Sequence, residues 1–204
     1  MSEKRTLKER KRDAIISAAI ELFLKTGYQN TSMDAISAQA EVSKRTLYNH
    51  FASKELLFQA IALQMFEESA KAVATDYIAE QTLESQLLAF ANKELSLFQS
   101  EQFRGLARVM LAECIQSPDL TVKVMAQVNT QERGLEAWIE KAQSDGRFRP
   151  VDAHYAASQF IGIIKANAFW PQVLMGQDMP DLSVQQQTAE DAVFMFLARY
   201  GLAS

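Results

Sequence analysis

The sequence predicts an all-α protein, a three-helix head followed by a helical bundle. Three observations carry that expectation. Apolar residues recur at three- and four-residue spacings along most of the 204-residue chain. Breakers are scarce, with 7 glycines and 4 prolines in all, and only Gly27 and no proline among the first hundred residues. No alternating strand pattern, repeat or low-complexity tract interrupts the periodicity.

The elements read in order. Over 9–26, Ile15, Ile16, Ala19, Ile20, Leu22 and Phe23 form the stripe of an amphipathic helix, and Gly27 follows as its C-cap. Thr31 or Ser32 caps a short second helix with Met33, Ile36 and Ala40 on one face and Asp34 in the first turn, where it suits the dipole. Ser43 caps a third, KRTLYNHF, in which Leu47 and Phe51 face inward. Ser53 opens a long fourth helix over 54–79. Further helical stretches fall near 82–100, 103–116, 118–145, 152–175 and 184–200. Ser117-Pro118-Asp119 reads as a helix start, Gly146 as a helix end, Asp152 as a cap, and 176–183 as an exposed loop.

Charge is distributed unevenly. Residues 1–54 hold ten Lys/Arg against six Asp/Glu, whereas 55–204 hold eleven against nineteen, within a net charge of -4. A basic head on an acidic body suggests a polyanionic partner for the head. The single cysteine, Cys114, closes no intrachain disulfide and reads as a small buried hydrophobe, so a reducing cytoplasm is expected. Glu3, Glu9, Asp13 and Glu21 spoil a signal-peptide reading of the start, and the apolar stretch 160–170 is too short to span a bilayer, so neither export nor a membrane anchor is expected. His50 and His154 stand apart from other ligands, so no metal and no cofactor is assigned. No nucleophile–base pair or phosphate loop argues for an enzyme, and no catalytic residue is named.

Around the third helix the pattern becomes specific. Lys44, Arg45, Thr46, Tyr48 and Asn49 occupy one broad polar face at about 100° per residue. Two short helices joined by about three residues, the second offering cations, an amide and hydroxyls outward, suit the major groove. Base edges take forked donors, and phosphates take hydroxyls, cations and helix N-termini.

These residues carry a resemblance. Residues 9–60, and above all TSMDAISAQAEVSKRTLYNHFASKELL, resemble the DNA-binding domain of the tetracycline-repressor (TetR/AcrR) family, with Val-Ser-x-x-Thr-Leu-Tyr-x-His-Phe-x-x-Lys nearly complete. The segment from FRGLARVMLAECIQSPDL through FWPQVL is similar to regulatory domains of one branch of that family. The resemblance implies base-edge positions for Lys44, Arg45, Thr46 and Asn49, and a base or backbone position for Tyr48. It implies phosphate contacts for Ser32, Ser43, His50 and Lys54. One departure is Glu41, which stands where the family usually has glycine; a left-handed glutamate costs roughly 1 kcal/mol. The basic run Lys4, Arg5, Lys8, Arg10, Lys11 and Arg12 opposes the dipole of the helix it precedes, and reads either as a solubilising tail or as a phosphate or minor-groove contact.

The resemblance therefore implies a DNA-binding domain over 1–54 and a regulatory, ligand-binding and dimerising domain over 55–204. The expected partners are a palindromic or near-palindromic double-stranded operator, a small-molecule effector and a second copy of the chain paired through the last two long helices. Phe66, Phe90, Met110, Met125, Trp138, Phe160 and Phe169 are the candidates to line the effector site, although each serves equally as core. The expected function is a repressor released from DNA by its effector. The alternatives are an activator or ligand-independent regulator of the same fold, or a helical ligand carrier.

Overall fold

The structure is a computed structural model that describes residues 6–126 and 134–202. Its described residues form the helices α1 (Leu7–Thr26), α2 (Met33–Gln39), α3 (Lys44–His50), α4 (Lys54–Val73), α5 (Leu83–Gln99), α6 (Glu101–Gln116), α7 (Pro118–Met125), α8 (Gly134–Ser144), α9 (Ala153–Ala168), α10 (Trp170–Met175) and α11 (Leu182–Tyr200). The all-α expectation holds; the one β feature among these residues is an isolated bridge between Phe148 and Gly201.

Helix ends follow local chemistry. Thr6 and Glu9 form a reciprocal capping box at α1, with Glu9 N–H donating to Thr6 Oγ1 at 3.2 Å and Thr6 N–H to Glu9 Oε2 at 2.7 Å. Gly27, at φ +80°, ends α1 and donates its N–H to Phe23 O at 3.0 Å. Of the two candidate caps for α2 it is Ser32 that accepts, from Ala35 N–H at 3.1 Å. Ser43, Asp152 and Asp181 cap α3, α9 and α11 in the same way.

Three expectations are corrected. The helix expected over 54–79 ends at Val73, because the following backbone finds another partner: Gln86 Oε1 accepts from Ile78 N–H at 2.8 Å, and Gln86 Nε2 donates to Ile78 O at 2.8 Å. The helix expected over 152–175 breaks at Phe169, where Pro171 lacks the N–H that would reach Asn167 O, and Gln172 Nε2 donates there instead at 3.3 Å. Ser117 stands at the N-cap position of α7, but its side chain makes no capping bond; its hydroxyl donates to Glu113 Oε1 at 2.5 Å instead. The middle of the helix expected over 118–145, residues 127–133, lies outside the described residues.

The described chain separates into two compact units. The first comprises residues up to Phe66 together with those from Gly105 to Ala126. Phe23, Ile36, Leu47, Leu57, Phe58 and Ile61 are fully buried here, joined by Leu106, Met110, Leu120 and Val124 from α6 and α7. Each such large side chain contributes about 1.5–3 kcal/mol of burial. The unit that holds α2 and α3 thus extends well past residue 54. The second unit comprises Glu67–Arg104 and the residues from Gly134 onward. Within it α11 packs on α5 and α9, and α8 and α10 pack on α9. Phe148, Phe160, Phe196 and Tyr200 form a connected aromatic core, with Phe160 and Phe196 centroids 4.9 Å apart and Phe148 and Phe196 5.4 Å apart.

Candidate DNA-binding interface

The interface is organised by α3. Leu47 is fully buried and Phe51, four residues on, is buried beside it, which anchors the helix by one stripe. The rotation of the helix then leaves Lys44, Arg45, Tyr48 and Asn49 exposed, with Thr46 and His50 half-buried at the edges. Ser43 Oγ accepts from Thr46 N–H at 3.1 Å and lies 2.9 Å from Thr46 Oγ1, so two of the expected contact residues also build the helix start.

The turn into α3 carries the backbone conformation that a glycine would favour. Glu41 has φ +52°, among the described residues the one non-glycine in the left-handed region. Its N–H donates to Ala38 O at 3.2 Å, and Val42 N–H donates to Ser37 O at 3.0 Å, so the turn is closed by backbone bonds despite the side chain. Lys44 Nζ reaches back across it to Asp34 Oδ2 at 2.7 Å.

Lys54 is placed differently from the other expected phosphate ligands. Its Nζ donates to Tyr28 O at 2.8 Å, Thr31 O at 3.0 Å and Gln29 O at 3.2 Å, and lies 4.4 Å from the Tyr28 ring centroid. All three ammonium donors are directed at the α1–α2 turn, and a phosphate would have to displace one of them. The same turn is held from α6, where the buried Glu113 accepts from Gln29 Nε2 at 2.8 Å. Burial, with the Glu55 and Glu113 carboxylates adding to it, raises the Tyr28 phenol well above its ordinary range and keeps it neutral.

A second basic group converges on the end of α3. The His50 imidazolium is disfavoured first by desolvation and then by the cations of Lys8, Arg12 and Lys11, which hold its pKa below the ordinary histidine value. Arg12 also sits over the Phe51 ring at 5.6 Å. The described part of the basic run therefore belongs to a helix beside α3, while Lys4 and Arg5 lie outside the described residues. The capping box at Thr6 and the grouping of Lys8, Lys11 and Arg12 with His50 were absent from the sequence reading, although Thr-x-x-Glu ahead of an apolar run is a usable signal.

The seven candidate effector residues fall in different units. Phe66, Met110 and Met125 belong to the unit that holds α3; Met110 is buried in its core and Met125 is exposed. Phe90, Trp138, Phe160 and Phe169 belong to the other and are all buried there. Phe90 and Phe160 have centroids 6.0 Å apart, and Trp138 Nε1 donates to Gln86 Oε1 at 3.0 Å. Sequence reading passed over Glu94, a buried acid on the same face of α5 as Phe90 and Phe98; a charge in the middle of an apolar stripe was the available signal.

A capped helix pair joined by the four residues 40–43, with a polar outer face on its second member, defines a helix-turn-helix DNA-binding regulator. Residues 15–61 match the family described as bacterial regulatory proteins, tetR family, and residues 85–202 match the AefR-like transcriptional repressor C-terminal domain. The chain belongs to the TetR family and is a DNA-binding transcriptional regulator. It is 41% identical to a TetR family transcriptional regulator from Pseudomonas syringae pv. tomato str. DC3000, with TM-score 0.82 over 97% of this chain and 100% of that one. The Flavonoid-responsive Regulator FrrA is 27% identical, with TM-score 0.79 over 96% of this chain and 100% of its own. The HTH-type transcriptional regulator UidR of Escherichia coli (strain K12) is 29% identical over 147 residues, 68% of this chain and 69% of UidR. Among the described residues no helix is long and apolar enough to cross a membrane.

Proposed function

We propose that this regulator is a cytoplasmic, dimeric repressor that reads a two-fold symmetric operator with α3 and leaves it when a small molecule occupies the helical bundle. The division of α3 into a buried Leu47 and an exposed face of Lys44, Arg45, Tyr48 and Asn49 carries the reading. In it, Lys44, Arg45, Thr46 and Asn49 address base edges, Tyr48 lies at base or backbone, and Ser32, Ser43 and His50 hold phosphates. Lys54 serves the interface from beneath, by fixing the α1–α2 turn. Similarity of residues 85–202 to a repressor domain supports repression as the sign of control.

Dimerisation is supported by exposed apolar side chains on α10 and α11: Leu174, Met175, Phe194 and Met195. One short recognition helix makes few base contacts, and a second copy doubles them. The effector is taken up among Phe90, Trp138, Phe160 and Phe169, while Phe66 and Met110 act in the packing of the head unit and Met125 stays exposed. Likeness to a flavonoid-responsive regulator supports a ring-bearing effector. Both α4 and α6 run from one unit into the other, so an effector that displaces either helix is felt by the DNA-binding unit. A coupling of about 1–3 kcal/mol would change DNA affinity roughly 5–150-fold, and operator DNA must weaken effector binding by the same factor.

Gel retardation of full-length protein on its operator tests the reading. The double variant Lys44→Ala/Arg45→Ala should lose operator selectivity while its circular dichroism is unchanged. Full affinity and selectivity in that variant would overturn the assignment.

A further inference from the structure

Two glutamates are buried among the described residues, and they differ in how they are satisfied. Glu113 accepts hydrogen bonds from Gln29 and Ser117. Glu94, on α5, is 6% exposed and accepts none from the described residues. A buried carboxyl without a donor is costly, and an apolar residue of similar volume usually serves stability better. Fold stability therefore gives no reason for an acid at this position.

Its surroundings suggest one. Glu94 lies one helical turn from Phe90 on one side and one turn from Phe98 on the other. Phe90 faces Phe160 of α9 at 6.0 Å, and Phe98 faces Phe169 at 5.0 Å, so two ring pairs bracket the carboxyl along the α5–α9 seam. The charge that acts on Glu94 comes from Lys165 of α9, whose Nζ sits 5.3 Å from the Phe169 ring centroid and 6.0 Å from that of Trp170. Aromatic walls around one acid to which no described residue donates a hydrogen bond are the usual composition of a small-molecule site.

We propose that Glu94 is the polar anchor of the effector site, accepting a hydrogen bond from a donor on an otherwise apolar, ring-bearing ligand. This inference rests on the reading that the bundle binds the effector, and it adds the chemical class. Burial pushes the Glu94 carboxyl up to about 7, and Lys165 only partly opposes the shift. A ligand donor, above all a charged one, restores the carboxylate, so binding of an amine releases a proton at neutral pH. Lys165 is the competing group in the same seam, and it would favour an anionic ligand instead.

Isothermal titration of the full-length protein with three ring-matched probes, 2-naphthylmethylamine, 2-naphthol and 2-naphthoate, tests the proposal. The wild type should bind the amine and the naphthol about tenfold or more tighter than naphthoate. Titration of the amine in buffers of different ionisation enthalpy should show proton release. Glu94→Gln keeps an acceptor oxygen, so it should retain naphthol, lose about tenfold for the amine and abolish proton release. Glu94→Leu should lose the preference for both donors and melt at or above the wild-type temperature; if that variant does not fold, Glu94→Gln decides alone. Naphthoate binding as tightly as the donors, a preference for the amine that survives undiminished in Glu94→Gln, or no binding of any probe to the wild type would each overturn the proposal. Equal binding of all three probes would leave an effector site standing without a role for Glu94. Operator retardation in the same samples reports separately on DNA reading.

Discussion

Lys44 at the start of α3 donates to Asp34 in the first turn of α2 at 2.7 Å, and both side chains remain more than half exposed. An exposed pair of this kind contributes only about 0.2–1 kcal/mol to stability. Its expected effect on DNA binding is larger, because it holds a carboxylate beside the cation proposed to address the groove. Asp34→Asn should therefore melt close to the wild type, bind operator more tightly, most clearly at low salt, and lose some discrimination against unrelated DNA. Weaker binding by a folded Asp34→Asn protein would mean that Asp34 positions Lys44 for its base rather than restraining it.

Lys54 makes the opposite case. Three backbone carbonyls accept from one ammonium, and a hydrogen bond to a charged group contributes about 1.5–3 kcal/mol. Lys54→Met should lower thermal stability of the full-length protein, with Lys54→Arg failing to restore it, since a planar fork does not match three converging carbonyls. The salt dependence of the remaining DNA binding should be unchanged. A drop of about one in the salt slope, with stability intact, would return Lys54 to the phosphate contacts.

Much of the head was legible from local chemistry. Gly27, Ser43 and Asp152 cap because their backbone and side-chain preferences act within a few residues, and Leu47 and Phe51 face inward because helix rotation alone decides it. The left-handed backbone at Glu41 was signalled only by the family resemblance, which usually has glycine there, since a glutamate carries no local signal for it. What escaped depends on distant partners. Nothing near Ser117 announces that its hydroxyl turns to Glu113, and nothing near Val73 announces that Gln86 captures the next backbone groups. Likewise, the helix that carries Met110 does not itself reveal that this residue is buried in one cluster with Ile36 and Phe58.

His50 gives a pH dependence whose sign is fixed by its neighbours. In the free protein desolvation and the cations of Lys8, Arg12 and Lys11 lower its pKa. A phosphate brought to this group favours the imidazolium, so the pKa in the complex lies above that of the free protein and binding takes up a proton. Operator affinity should accordingly rise as pH falls through the histidine range and be lost as pH rises through the pKa of the complex. Retardation measured between about pH 5 and 8 should show that slope in the wild type and a flat profile in His50→Gln. Equal slopes in both would remove His50 from the phosphate contacts.

The proposed dimer can be tested at a position chosen by exposure. Ile164 and Phe196, on α9 and α11, are both buried within the single chain, so a charge there would disrupt the bundle rather than the pairing. Phe194 is 74% exposed on α11. Phe194→Glu should keep its helical content and melt near the wild type, yet scatter light as a 22.9 kDa particle and lose most operator affinity. An unchanged dimer would place the interface elsewhere.

Selection of bound sequences from a random double-stranded DNA pool tests the central claim most directly, that α3 reads base sequence as one of a symmetric pair. Full-length wild type should enrich a two-fold symmetric site whose half-sites are about 34–36 Å apart or a multiple of that spacing. Lys44→Ala and Arg45→Ala should each relax preference at a single position of every half-site, at a cost of about 1–3 kcal/mol. A pool that shows no enriched sequence, or an enriched site that both variants select unchanged, would contradict it.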